Sequence, residues 1–215
     1  MVTEAAAASA WKDPLYSYGY NNISDLGVPS CGGQVEGRTI CSPLSVVMNT
    51  GFVLQGVLFV VAAFVLFRLL PGRLRWAYLI LAAVHGVGIT LVGLVHGSPE
   101  AVADGSITWH VVGAALAIVG GNLVSIVVGC HVLRSRLERW LGIVWVVLGV
   151  LGIASLALMT TFTGDANFTD VISWFERGAV YPIMAAESVA GVALLYSRRS
   201  GRRFPAEPTP ATAAS

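Results

Sequence analysis

The sequence predicts an all-α fold, a polytopic transmembrane helix bundle with five full spans and an N-terminal cap segment. Composition, the length of the apolar runs and the placement of arginine carry that expectation. Of the 215 residues, 55% are hydrophobic and only 12% charged, with a mean hydropathy of +0.73. A soluble domain carries about 25% charged residues. Half that share leaves too few charges to cover a water-facing surface, so an integral membrane protein is expected. The net charge of +1 excludes the electrostatic footprint of a nucleic-acid binder.

Five apolar segments follow Pro43, at residues 44–67, 77–95, 109–133, 140–161 and 180–196. Each is long enough to cross ~30 Å of hydrocarbon at 1.5 Å per residue. They are too long for strands and lack period-two alternation. Ser42 is the expected N-cap of the first span, with Pro43 at its first position. Residues 106–108 form the expected cap region of the third, and Pro182 falls in the expected first turn of the fifth. Trp11, Trp76, Trp109, Trp140 and Trp174 lie near the expected interfaces, where an aromatic belt belongs. Ala82/Gly86, Gly113/Ala117/Gly121 and Ala186/Ala190 are small residues at helical spacing and predict close helix contacts. Residues 200–215 are rich in Pro, Ala and Thr and are expected to be a disordered cytoplasmic tail.

Arginine sets the expected orientation. Arg68, Arg73 and Arg75 share one side with Arg134, Arg136 and Arg139, and with Arg198, Arg199, Arg202 and Arg203. The other side holds Lys12, Arg38 and Arg177. The positive-inside rule makes the first side cytoplasmic, in a multi-pass protein of the cell membrane. The polar stretch at residues 16–43 is then extracytoplasmic and caps the bundle. Cys31 and Cys41 lie in it, in a compartment where disulfides persist. One reading staples the loop with a Cys31–Cys41 disulfide, and the other leaves two free thiols. Cys130, inside the third span, reads as packing.

Polar groups inside spans are costly and each requires a reason. Glu187, in the fifth span, reads either as a proton carrier or general acid in a cavity, or as a protonated carboxyl bonded across helices. His85 lies well inside the second span, and His131 nears the inner end of the third. His96 closes the second span and His110 opens the third, with Glu100 and Asp104 between them. Two histidines and two carboxylates there could bind a divalent metal at the outer face or run acid–base chemistry. The alternative is solvated interfacial histidine with loop acids. A bis-histidine haem would need two facing ligands at equal depth, which this spacing does not offer. Asn49, Gln55 and Asn122 read as interhelical hydrogen-bonding groups. No hydrolase elbow, phosphate loop, zinc-protease or dinucleotide motif is present.

The runs YSYGYNNISDLG, RTICSPLSVVMNTGFVLQG and HVVGAALAIVGGNL resemble a family of small multi-pass membrane proteins, domain of unknown function 998. The ISDLG element is also similar to one near the start of Frag/DRAM-type membrane proteins. The family resemblance implies six helices with ISDLG after the first. Residues 1–15 would then be the remnant of a first transmembrane helix, residues 16–43 the cap and residues 44–199 the bundle. It implies no activity.

Two function classes follow. One is a structural component that binds membrane lipid, a partner membrane protein or a second copy of itself, with no cofactor and no nucleic acid. The other is an intramembrane enzyme of hydrolase or cyclase type, acting on a lipid or isoprenoid from the outer face. In it Asp25 or Glu187 is the acid, and His96 and His110 are the base or metal ligands. The expected site is a cavity under the cap formed by Asn22, Ser24, Asp25, His96, Glu100, His110 and Glu187. The cap is expected to fold over the second, third and fifth spans.

Overall fold

The computed structural model describes residues 1–135, 138–165, 167–168 and 170–199. The expected tail at 200–215 lies outside them. The described chain runs α1 (Val2–Ala10), a 3-10 turn (Ser24–Gly27), a hairpin of β1 (Gly33–Val35) and β2 (Arg38–Ile40), then α2 (Ser45–Leu66), α3 (Leu74–Leu94), α4 (Pro99–Asp104), α5 (Ile107–Ser135), α6 (Arg139–Phe162) and α7 (Ile172–Arg199). α2, α3, α5, α6 and α7 are each long and apolar enough to span a membrane, so the chain is an all-α multi-pass membrane protein.

The five spans form an open arc. α2 packs on α3, α3 on α5, α5 on α6 and α6 on α7, and α5 also reaches α7. α2 and α7 are not packed along one another. They are the ends of the arc, and their apolar windows are 11% and 17% buried, against 44% for the central α5. Reciprocal glycine pairs set three of the contacts. A Cβ at Gly56 of α2 would lie 2.6 Å from the Gly86 carbonyl of α3, and one at Gly86 would lie 2.9 Å from the Gly56 carbonyl. Gly88 and Gly113 join α3 to α5 in the same way, and Gly129 and Gly142 join α5 to α6. Lipid tails are as apolar as leucine, so burying large side chains between spans gains little. Close backbone approach is what holds them.

The large fully buried apolar side chains lie elsewhere. Trp11, Leu26, Val28 and Ile40 are at most 1% exposed, and all belong to the cap or the end of α1. They pack with Ala7, Ile23, Met48, Phe52 and Val92 into one cluster. The molecule has a water-type hydrophobic core at its cap end and glycine-packed helices beyond it.

Several local expectations change. The fifth span begins at Ile172 rather than 180, so Pro182 sits in the helix interior. The added turns carry Glu176 and Arg177, which are buried at 8% and 3% exposure because both bond the cap. Ser42 does not cap α2. The N-cap is Leu44, and the Ser42 hydroxyl donates to the Leu26 carbonyl at 2.7 Å. Trp11 is buried rather than interfacial, whereas Trp76, Trp109, Trp140 and Trp174 are exposed as a belt requires. The cap rests chiefly on α1, α2 and α7. α2, the first span, is not among the expected contacts, while α3 contributes Val92 to the cluster and Ile89 at its margin, and α5 contributes Ala114 there.

Candidate functional site

The cap is organised by the ISDLG element, and each of its residues has a physical task. Ile23 and Leu26 enter the core. The backbone N–H groups of Ile23 and Ser24 donate to the two carboxylate oxygens of Glu176 on α7. Asp25 reaches back to accept from the Asn22 N–H at 2.9 Å, closing the turn as a capping-box acid does. Gly27 leaves room for Asn49, whose amide donates to the Gly27 carbonyl at 2.7 Å.

Asp25 is also the partner of Arg38, through Nε at 2.9 Å and Nη2 at 3.3 Å. Both side chains are buried. Burial works against the guanidinium charge, but Asp25 and Glu36 more than offset it and raise the Arg38 pKa. Arg38 reaches Asp25 from a hairpin whose turn residues, Glu36 and Gly37, both have positive φ, as a two-residue turn requires. The Cys31–Cys41 disulfide closes the base of this hairpin.

A second polar cluster ties the cap to α1 and α7. Arg177 donates to the Asn21 carbonyl at 2.8 Å and to the Tyr16 hydroxyl, and lies 3.7 Å from Glu4. Tyr16 donates to the Asn22 carbonyl at 3.0 Å, and burial pushes its phenol pKa up, so it stays neutral. Tyr181 donates to Glu4 at 2.7 Å. These bonds tie the cap to α1 and α7, although the buried Arg177 Nε is left without a hydrogen-bond partner among the described residues.

The residues expected to form one cavity divide into four places. Asn22, Ser24 and Asp25 are in the cap turn. His110 is buried, with Nδ1 donating to the Val95 carbonyl at 2.7 Å. Glu100 is exposed in α4, where it accepts from the Ser30 hydroxyl at 3.4 Å. Its own backbone N–H and the Ser98 hydroxyl hold its carboxyl below the usual range. Glu187 joins neither set, being eleven residues beyond Glu176, about 16 Å along the helix. Among the described residues no three of His, Cys, Asp and Glu are grouped as a metal ion would need.

Glu187 instead ends a chain of hydrogen bonds through the middle of the bundle. Gln55 of α2 donates its amide N–H to Glu187 Oε1 at 2.9 Å. The Gln55 carbonyl oxygen lies 3.1 Å from His85 Nε2 of α3, and His85 Nδ1 donates to the Ala117 carbonyl of α5 at 2.7 Å. All three side chains sit near the middles of their spans. His85 is 3% exposed, whereas Gln55 and Glu187 are half-buried. Gln55 and Glu187 bridge α2 and α7, which are not packed along one another. One turn along from Glu187, a Cβ at Gly191 would meet nothing within 4 Å.

Sequence reasoning placed Glu187, Gln55 and His85 singly and missed their union. Helical spacing relates residues on one helix, and these are on three. It also missed Glu176 and Arg177 as cap anchors. The available signal was two adjacent charges at the edge of an apolar run.

The fold and the polar clusters define a multi-pass membrane protein with a stapled cap and a polar chain buried at mid-span. Residues 3–193 match the family described as protein of unknown function (DUF998), and the chain belongs to that family. No curated protein and no solved structure matches it. The expected likeness of ISDLG to Frag/DRAM-type proteins is not found in these comparisons.

Proposed function

We propose that this protein is a lipid-binding structural component of the cell membrane, and that its site is the groove between α2 and α7. One observation carries the reading. The cap's ion pairs are made within the cap and its anchoring helices, whereas Gln55 and Glu187 are half-buried between α2 and α7, which are not packed along one another. A carboxyl at that depth is costly without a partner. An amphiphile entering from the side would lay its chain along the apolar walls and offer a hydrogen-bonding group to Gln55 and Glu187. The enzyme reading needs Asp25, His96, His110 and Glu187 around one substrate. With Asp25 locked to Arg38 and Glu187 far along α7, the geometry favours binding.

The orientation belongs to the same proposal. The arginine bias and a disulfide in the cap both support residues 16–43 lying outside the cell and the C-terminus inside.

A photo-crosslinking residue in place of Gly191, in native membranes, tests the site. The expected product is a lipid adduct, and G191W should lose the lipid that native mass spectrometry finds on the wild type. A crosslink to another protein, or no retained lipid in either protein, would overturn the reading.

A further inference from the structure

The turn from α2 to α3, at the end of the bundle opposite the cap, reads FRLLPGRLRW over residues 67–76. It holds Arg68, Arg73 and Arg75, and no acidic residue occurs between Glu36 and Glu100. Among the described residues none of these three arginines has an ion pair, and the pairs present involve Arg38 and Arg177. The start of α3 adds to the imbalance. Arg73 is its N-cap, no side-chain hydrogen bond caps it, and its first turn contains no acid. A helix N-terminus is the positive end of the helix dipole, ordinarily offset by an acidic or hydroxyl side chain. Here arginines stand in that place, so like charge is added to like.

Freely solvated arginines would need no further account. Arg75 is not one of them. Its guanidinium carbon lies 5.7 Å from the centroid of the Phe67 ring. Its Nε is buried and has no hydrogen-bond partner among the described residues. Phe67 in turn packs edge-on against Trp76 at 4.9 Å, and Trp76 is exposed. The guanidinium is therefore held against an aromatic pair at the depth where such rings meet lipid head groups. A buried donor left unpaired costs free energy, which an acceptor beside Arg75 recovers. The backbone N–H groups of Leu74, Trp76 and Ala77 already donate to the Pro71 and Arg73 carbonyls, so guanidinium groups must hold that acceptor. A phosphate suits them. Its oxygens take paired N–H donors, and its charge opposes both the arginines and the dipole.

The surface beyond the turn points to the molecule that carries the phosphate. On α2, Val60 and Gly56 each lie within about 20° of Phe67, and on α3 Gly86 lies within about 20° of Arg75. The arginine site thus stands at the foot of the seam where Gly56 meets Gly86. Along that seam an apolar groove of about 480 Å3 opens, with Val57, Val61, Val87 and Leu94 in its lining. All four are exposed. Val61 is six residues from Phe67, about 9 Å along the helix, within reach of an acyl chain whose head group sits at the turn.

We propose that the α2–α3 turn binds an anionic phospholipid. Arg75 and Arg73 hold its phosphate, Arg68 adds charge beside them, and one acyl chain runs into the α2–α3 groove. This site is separate from the gap between α2 and α7 and does not rest on it. In the orientation given above, the turn meets the cytoplasmic leaflet, where anionic lipids are found.

The test uses the full-length protein in nanodiscs of phosphatidylglycerol and phosphatidylcholine in equal amounts, with retained lipid read by native mass spectrometry. The wild type should retain phosphatidylglycerol at least tenfold in preference to phosphatidylcholine. An arginine near an anionic head group is worth roughly a factor of five, so R73Q and R75Q should each cut the preference by about that much. Arg73 is exposed, so R73Q removes no packing and serves even where R75Q does not fold. G191W, which should lose the lipid expected between α2 and α7, should keep its phosphatidylglycerol, and this separates the two sites. A wild type that retains both lipids equally overturns the proposal and requires no variant. A preference unchanged in R73Q overturns it too, because the anion is then held elsewhere.

Discussion

At the scale of single residues, the cap depends on charges that cannot be left alone. Asp25 is buried, and Arg38 is the charge that compensates it. Removing one partner of a buried pair costs about 3–5 kcal/mol, because the other is stranded. Arg38→Ala should therefore lower the thermal midpoint of the detergent-solubilised protein sharply, and an unchanged midpoint would show that Asp25 finds another partner. Asn122 makes a different point. It is fully buried and donates to the carbonyls of Ile118 on its own helix and Ala179 on α7, at 2.8 and 2.9 Å. Its amide occupies the space a side chain at Gly152 of α6 would need. Gly152→Ala should destabilise by roughly 1–3 kcal/mol through overpacking. The double variant with Asn122→Ala should show coupling rather than additivity. A calorimetric cycle reads this, and strict additivity would contradict the contact.

At the scale of elements, the hairpin and α7 depend on each other through the cap. The Cys31–Cys41 link closes a short loop, and a loop of that size contributes roughly 2–3 kcal/mol by restricting the unfolded chain. The double Cys→Ser variant should unfold at lower temperature, and a reducing agent should shift the wild type to the same midpoint without shifting the variant. The α2–α3 contact predicts that Gly86→Leu separates these helices, since the Gly56 carbonyl and Val60 occupy the space. Because Gln55 lies one residue before Gly56, that variant should also break the Gln55–His85 contact, visible as a change in the histidine ring spectrum.

At the scale of the whole molecule, the arc of five helices is closed at its cap end and open at mid-depth. α1 packs on α2 and reaches α7 through Glu4, so the cap end of the gap is bridged. Below it the gap exposes Gln55 and Glu187. The proposed orientation makes a prediction for intact cells. A membrane-impermeant maleimide should label Cys31 and Cys41 only after reduction with an impermeant phosphine, and labelling that requires membrane rupture would reverse the orientation. The legible part of the fold was large. All five spans, the Cys31–Cys41 pairing and the small-residue contacts were within reach of sequence, because each follows from local length, spacing or composition. The candidate site was legible only as separate residues. Glu187 was noticed for its cost, Gln55 and His85 for their depth, and nothing in the linear pattern joined them.

The sequence by itself determined that this is a multi-pass membrane protein, how many spans the described chain has and where its polar segment lies. Those properties are additive along the chain, since apolar length and charge placement need no knowledge of neighbours. The tertiary structure decided which polar groups meet. A buried polar side chain must find a partner, and which partner it finds depends on how each helix is rotated and which helices are adjacent. That is why Glu176 and Arg177 turned out to anchor the cap and extend α7 by eight residues. It is also why Glu187 left the set it was expected to join and came to end the chain through Gln55 to His85.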